Sequence, residues 1–332
     1  MSESVLITGA AGFIGSHVVD TMLDRGCSVA GLDNFDSFYD PAIKRANLAR
    51  ALESPRFSLI EADVRDAAAM RRAMKETEPD VVVHLAARAG VRPSIAFPAL
   101  YADVNIVGTT VLLESAREAG VRRVVNASSS SVYGNASKVP FSESDSAVAP
   151  ISPYAATKRA AELVCESFSH LYPELRLISL RFFTVYGPRQ RPDLAIHKFA
   201  RLIEQGSPVP LFGDGSSARD YTYITDTLAG VVGAIERTRL VSHGHETFNL
   251  GASATTTLSE LVSLLEDALG KRAILEQLPD QPGDVRCTYA DVTRARSALG
   301  YSPSVPIRVG IKRFAEWFRS KAEMPAGTTQ SN

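Results

Sequence analysis

The apolar run Val5-Leu-Ile-Thr8 passes directly into Gly9-Ala-Ala-Gly12-Phe-Ile-Gly15, and this junction restricts the fold more than any other stretch of the chain. A strand that ends on glycines and reopens as a helix starts a βαβ unit of the kind that receives a dinucleotide. Gly9 permits the tight turn, Gly12 lets backbone approach a pyrophosphate, and Gly15 lets helix and strand touch. Phe13 and Ile14 lie between the last two glycines, where helix N-terminal amides face the phosphates. Asp33 closes the next apolar run, where a carboxylate accepts hydrogen bonds from an adenosine ribose and repels a 2′-phosphate. NAD is therefore expected over NADP, although Asn34 beside it also suits a turn. Asp63-Val64, after the third run, is placed to reach the adenine.

Runs rich in β-branched residues then alternate with helix-like stretches: strands at 28–32, 57–61, 81–85, 123–127 and 175–182, helices at 14–25, 67–77, 104–119 and 153–169. The alternation predicts a doubly wound α/β fold, a parallel sheet with helices on both faces. After Gly187, prolines and glycines punctuate short segments, and a smaller mixed α/β domain is expected there. The expected division is 1–187 for the cofactor domain, with chain returning near 220–252, 188–322 mainly for substrate, and a disordered tail at 323–332. The run 248–250 reads as a strand able to rejoin the sheet. With 36 basic against 37 acidic residues, the net charge of −1 offers no general attraction for nucleic acid or an anionic membrane. The N-terminus lacks a basic stretch followed by an apolar one, and the three cysteines form no CxxC pair. No metal site is expected, and a reducing cytoplasm is the simplest home.

Tyr154-Ala-Ala-Thr-Lys158 opens the helix expected at 153–169, and the i, i+4 spacing stacks the two side chains on one face. A fixed ammonium beside a phenol favours the phenolate and makes the tyrosine a general base. Upstream, Ser128 to Ser131 follow a strand whose carboxyl end would face the cofactor. A hydroxyl there can share the proton with Tyr154; a serine-rich loop can also satisfy its own backbone.

The glycine motif, the serine loop and the Tyr154/Lys158 pair, in this order, resemble the extended short-chain dehydrogenases/reductases of the sugar-nucleotide epimerase and dehydratase family, across residues 5 to about 318. The resemblance implies a Rossmann domain with tightly held NAD, a nucleotide-sugar substrate and a homodimer. It assigns Ser129, Tyr154 and Lys158 to catalysis, and Leu85, Ala86, Ala87, Asn105 and Phe182 to the cofactor. It assigns Arg219 to the diphosphate and Asp284, in Gln281-Pro-Gly-Asp284, to the nucleotide ribose. Dehydratases of the family carry Asp-Glu after the catalytic hydroxyl, where this chain has Ser130 and Ser131, so elimination of water lacks its acid. Segments 32–41, 85–94, 181–193 and 213–224 are similar to the UDP-glucuronate 4-epimerase subfamily, and Thr184 stands where UDP-glucose epimerases commonly have Asn.

A 4-keto uronic acid is a β-keto acid that loses CO₂ when its carboxylate bond aligns with the carbonyl, so the sugar must be held still. Ser128, Ser129 and Ser130, with Arg92 or Arg189, are the candidates; either arginine equally suits a diphosphate or a solvated loop. The rival readings are a UDP-glucose or UDP-N-acetylhexosamine 4-epimerase, with Thr288 as a small pocket residue, and a non-catalytic NAD-binding regulatory protein of the same fold.

Overall fold

The computed structural model describes residues 3–135, 138–145, 147, 149–279 and 285–322. The alternating apolar runs pair into one seven-stranded sheet. Its strands are β1 (Ser4–Thr8), β2 (Ser28–Asp33), β3 (Phe57–Glu61), β4 (Val81–His84), β5 (Arg123–Ser129), β6 (Arg176–Phe182) and β7 (Gly244–Leu250). Their order is β7-β6-β5-β4-β1-β2-β3, and every neighbouring pair is parallel. The order reverses between β1 and β4, where Thr8 lies opposite both Leu32 and His84. Such a reversal leaves a crevice beyond the strand ends, the usual ligand position in an open α/β sheet.

Central strands read as unbroken apolar runs because both of their faces are covered. Leu6, Val82 and Val124 face one core with Met70, Met74, Leu112 and Leu113 from α2 (Ala67–Thr77) and α3 (Gly108–Glu118), and with Cys165 of α4 (Pro153–Leu171). Val5, Ile7, Val83 and Val125 face the other, against Val18, Val19 and Met22 of α1 (Phe13–Asp24). Each such side chain contributes about 1.5–3 kcal/mol by leaving water.

The second core continues into a smaller lobe of α5 (Ala195–Gln205), α7 (Leu258–Leu269) and α8 (Ile307–Ala322) around the parallel pair Pro208–Phe212 and Ile274–Leu278. Between α5 and α7 the chain returns to the sheet through α6 (Ile224–Leu240) and β7. The helix expected at 104–119 is in fact a π-helical turn, Asp103–Val107, running into α3. Positions 281–284 and 323–332, read above as a ribose contact and a tail, lie outside the described residues. Among the described residues no helix is long and apolar enough to cross a membrane.

Candidate functional site

The carboxyl ends of the central strands open into a cavity of about 490 Å³, within the usual range for small-molecule sites. Gly9, at φ +69°, could not carry a Cβ, which would lie 2.7 Å from the Ala86 nitrogen; at Gly15 one would lie 2.0 Å from the Gly9 oxygen. These two glycines are demanded by the protein's own backbone. Gly12 differs: its only close neighbour is the Gly9 oxygen at 3.2 Å and it faces the cavity, so its bareness leaves room for a ligand. Asp33 accepts the N–H groups of Ala11 at 3.0 Å and Phe35 at 2.8 Å, tying the glycine turn to the loop after β2 while still lining the cavity. Asn34 donates to Asp63 at 2.9 Å, and the Arg65 guanidinium, bonded to the same carboxylate, holds it down to about 2. Phe13, Ile14, Val64, Leu85, Ala86, Ala87 and Phe182 complete the wall. These residues fit a dinucleotide: a bare turn at a helix N-terminus, a carboxylate at the second strand's end and apolar ring surfaces.

Asn105 is placed differently from its reading as a cofactor contact. It lies behind the wall on the π-helical turn, where its side chain accepts from the Arg88 N–H at 2.7 Å and donates to the Arg88 carbonyl at 3.0 Å and to Thr157 at 3.0 Å. It shapes the segment that lines the cavity.

Ser152 caps α4 by accepting from the Ala155 N–H at 3.2 Å, and Pro153 fills the first turn. Tyr154 therefore projects from the helix start into the cavity, with Tyr101 edge-on at 6.2 Å. Burial pushes its phenol up, and the neighbouring Ser129 hydroxyl and the Arg191 charge pull it back. Ser129 also accepts from the Ser131 N–H at 3.2 Å and hydroxyl at 2.9 Å. Lys158 lines the same cavity with its ammonium on the Ala127 carbonyl at 2.6 Å. Burial brings it down to about 8, with the Glu162 charge opposing. The Arg191 charge is thus a second cation acting on the phenol, one that the i, i+4 spacing alone does not reveal.

Ser130 and Thr184 line the cavity as expected. Ser128, read as a sugar contact, lines the cavity as well, but its hydroxyl is turned to Glu162, to which it donates at 2.5 Å. Arg189, read as a carboxylate ligand, points away: it adopts φ +62° and pairs with Asp20 of α1 at 2.8 Å, while the Pro188 carbonyl meets His17 at 2.9 Å. The same anchoring sends Arg191 inward, where it is largely buried against the cavity, over the Phe38 ring at 5.1 Å and paired with Asp193. Arg191 is the residue that sequence reading missed, along with Arg88, which lines the cavity and stacks on Phe38 at 5.3 Å. The only sequence signal was the second arginine of Pro188-Arg-Gln-Arg191. Arg92 lies outside the cavity over the Phe212 ring of the smaller lobe at 5.0 Å, and Arg219 lies near the Arg286 carbonyl at 3.4 Å. Thr288 is buried, its hydroxyl accepting the Asp220 N–H at 3.1 Å, and is not among the residues lining this cavity. His84 and His197 are structural: the first bonds Thr8 and Thr109, and the second packs among Phe314, Trp317 and Phe318.

Known proteins bear directly on this arrangement. Residues 6–314 match the family model described as GDP-mannose 4,6 dehydratase. A probable UDP-glucuronate 4-epimerase of Rhizobium meliloti is 40% identical over 328 residues, covering 94% of this chain and 96% of that protein. The crystal structure of the UDP-glucuronic acid 4-epimerase of Bacillus cereus, in complex with UDP-glucuronic acid and NAD, superposes with a TM-score of 0.89 at 34% identity, covering 96% of this chain and 99% of that one. A UDP-glucose 4-epimerase of Thermotoga maritima, solved with UDP-glucose, is 35% identical with a TM-score of 0.87, covering 96% of this chain and 100% of that one.

Proposed function

The chain belongs to the GDP-mannose 4,6-dehydratase family, and within it we propose that the protein is a NAD-dependent 4-epimerase that interconverts UDP-glucuronate and UDP-galacturonate. The observation that carries this reading is the meeting of Ser129, Tyr154 and Arg191 at the inner end of the dinucleotide cavity. Residues 1–187 and 220–252 form the cofactor domain, and the remaining chain up to 322 mainly grips the sugar nucleotide. Gly9 to Gly15 would hold the pyrophosphate, Asp33 the adenosine ribose, and Lys158 the nicotinamide ribose. Bound NAD supplies a hydride acceptor that returns the same hydride to C4.

The chain's own residues move the proton and fix the sugar. Tyr154 takes the proton of the C4 hydroxyl, with Ser129 sharing the hydrogen bond, and returns it when the 4-keto sugar has turned over in the pocket. Arg191, always charged, gives its Nε and one Nη2 proton to Asp193 at 2.9 and 2.6 Å and keeps the Nη1–Nη2 edge as the fork that suits a carboxylate. With Ser130 and Thr184 it keeps the uronate carboxylate out of alignment with the C4 carbonyl, which suppresses loss of CO₂. Among the described residues the acidic groups lining the cavity are Asp33, Asp36 and Asp63, at or just after the ends of β2 and β3, while serines stand next to Ser129 where elimination needs a carboxylic acid. The exposed Leu163 and Leu171 on α4, with Val107, support a homodimer built on that face. The free, mutually distant cysteines suit a reducing cytoplasm.

Incubation of the purified protein with UDP-glucuronate and, in parallel, with UDP-glucose, with chromatographic separation of the sugars, tests the assignment. Conversion of the uronate to its C4 epimer at the higher kcat/KM is expected. Preferential turnover of UDP-glucose would transfer the protein to the neutral-sugar epimerases, and no turnover of either would leave the UDP-N-acetylhexosamine and non-catalytic readings.

A further inference from the structure

Beneath the reaction site lies a buried charged group that the mechanism above does not use. Glu162 sits one turn beyond Lys158 on α4, with its side chain fully removed from water. Its carboxylate accepts from the Ser128 hydroxyl at 2.5 Å, from Arg181 Nε at 2.8 Å and Nη2 at 2.9 Å, and from Arg159 at 2.9 Å. Arg181, on β6, uses its remaining nitrogen to donate to the Tyr133 hydroxyl at 2.9 Å, and Tyr133 donates to Asn249 of β7 at 2.7 Å. Ser128 and Tyr133 bracket Ser129 to Ser131. One ion pair therefore ties down both flanks of the loop that presents Ser129 to Tyr154.

A buried ion pair is weak evidence of stability, since well-packed apolar residues often replace one without loss. Its value here lies in what its two ends grip. We propose that Glu162 is a positioning residue of the reaction: through Ser128 and through Arg181 and Tyr133 it fixes the serine loop, and along α4 it supplies the counter-charge of Lys158. The proposal rests on the 4-epimerase reading for its kinetics but not for its electrostatics. Among the described residues the charged and titratable groups acting on Lys158 are Glu162 and Cys165 from α4 and His84 from β4, with the Ala127 carbonyl of β5 as direct partner, Tyr154 one turn before it on α4, and Arg159 and Arg181 behind Glu162. Of these, Glu162 supplies the full negative charge that offsets the burial of the ammonium.

The test uses the holoenzyme as wild type, Glu162→Gln and Ser128→Ala, each checked for bound NAD and for its thermal midpoint. Glu162→Gln is expected to lower kcat about tenfold or more with KM nearly unchanged, since a small displacement of reacting groups suffices for that loss. Its alkaline limb in kcat/KM moves to lower pH, because the lysine sheds its proton sooner without the carboxylate. Ser128→Ala lowers kcat by less and leaves the limb in place, the charge being intact. Lysine ¹³Cε resonances of the holoenzyme, with Lys158 assigned through Lys158→Met, read the same shift without any sugar. A folded Glu162→Gln with wild-type kcat and an unmoved Lys158 midpoint overturns the proposal. Should that variant fail to fold, a wild-type kcat in Ser128→Ala overturns it. Absence of turnover in the wild type counts against the 4-epimerase reading alone, and the lysine midpoint still decides the role of Glu162.

Discussion

Arg189 and Arg191 stand two positions apart and face opposite ways, one onto Asp20 of α1 and the other into the cavity. Nothing local distinguishes them, because the direction is set by His17 and Asp20 on a helix far away in sequence. The glycines and the Tyr154/Lys158 pair were legible for the opposite reason: their geometry follows from a turn and one helical period. Arg191→Ala is expected to lower kcat/KM for UDP-glucuronate by about a hundredfold and for UDP-glucose far less, as loss of a buried charged hydrogen-bond donor does. Arg189→Ala is expected to leave kcat/KM within about twofold and to cost about 1 kcal/mol in urea unfolding, in keeping with a partly exposed ion pair. Equal losses from both variants would place the carboxylate elsewhere. Tyr154→Phe is expected to lower kcat by roughly 10²–10⁴ while retaining the fold, the range for one general acid–base residue. Wild-type turnover by that variant would assign the base to another group.

At the scale of elements, α4 carries the chemistry and the π-helical turn Asp103–Val107 supports it from behind. The Ser152-Pro153 start of α4 and its first turns are readable in sequence. The π turn is not: its extra residue interrupts a regular helical pattern without altering it enough to be seen. What it accomplishes is to aim Asn105 at both backbone groups of Arg88 and at Thr157 of α4. Asn105→Ala leaves a buried N–H without a partner and is expected to cost about 1–3 kcal/mol in urea unfolding, with weaker retention of NAD on gel filtration. Unchanged stability would show that Arg88 finds water or another acceptor. The buried Lys158 makes a second prediction at this scale. Its acidity, brought to about 8 from the usual 10.5, means the ammonium is present below that pH and lost as pH rises through it. Wild-type kcat/KM is therefore expected to fall above about pH 8 as the Lys158 ammonium is lost. A profile level to pH 10 would show that the ammonium need not hold its proton.

For the molecule as a whole, the two lobes share one core, and the node where their chains cross is Asp220. Its fully buried carboxylate accepts the N–H groups of Ala252 at 2.6 Å, Ser253 at 3.0 Å and Ala290 at 3.1 Å, binding the exit of β7 to the segment that enters the last part of the smaller lobe. The return of β7 to the sheet was foreseen from the short run Phe248-Asn-Leu250, but this node was not, because its partners are some 30 and 70 positions distant. Asp220→Ala removes the acceptor of three buried donors, and unfolding in urea is expected to show a loss of about 3–5 kcal/mol. Burial also pushes this carboxyl up to about 6, against the opposing pull of the three N–H bonds. A folded value above the unfolded one means that the native state holds the proton more tightly. The stabilisation from Asp220 is then fullest below about pH 4 and declines as pH rises through about 6, by about 3 kcal/mol for a shift of roughly two units. The difference in unfolding free energy between wild type and Asp220→Ala should accordingly shrink from pH 4 to pH 7. A difference that grows over that interval would show that the three N–H groups outweigh burial, leaving the carboxylate charged in the native fold throughout.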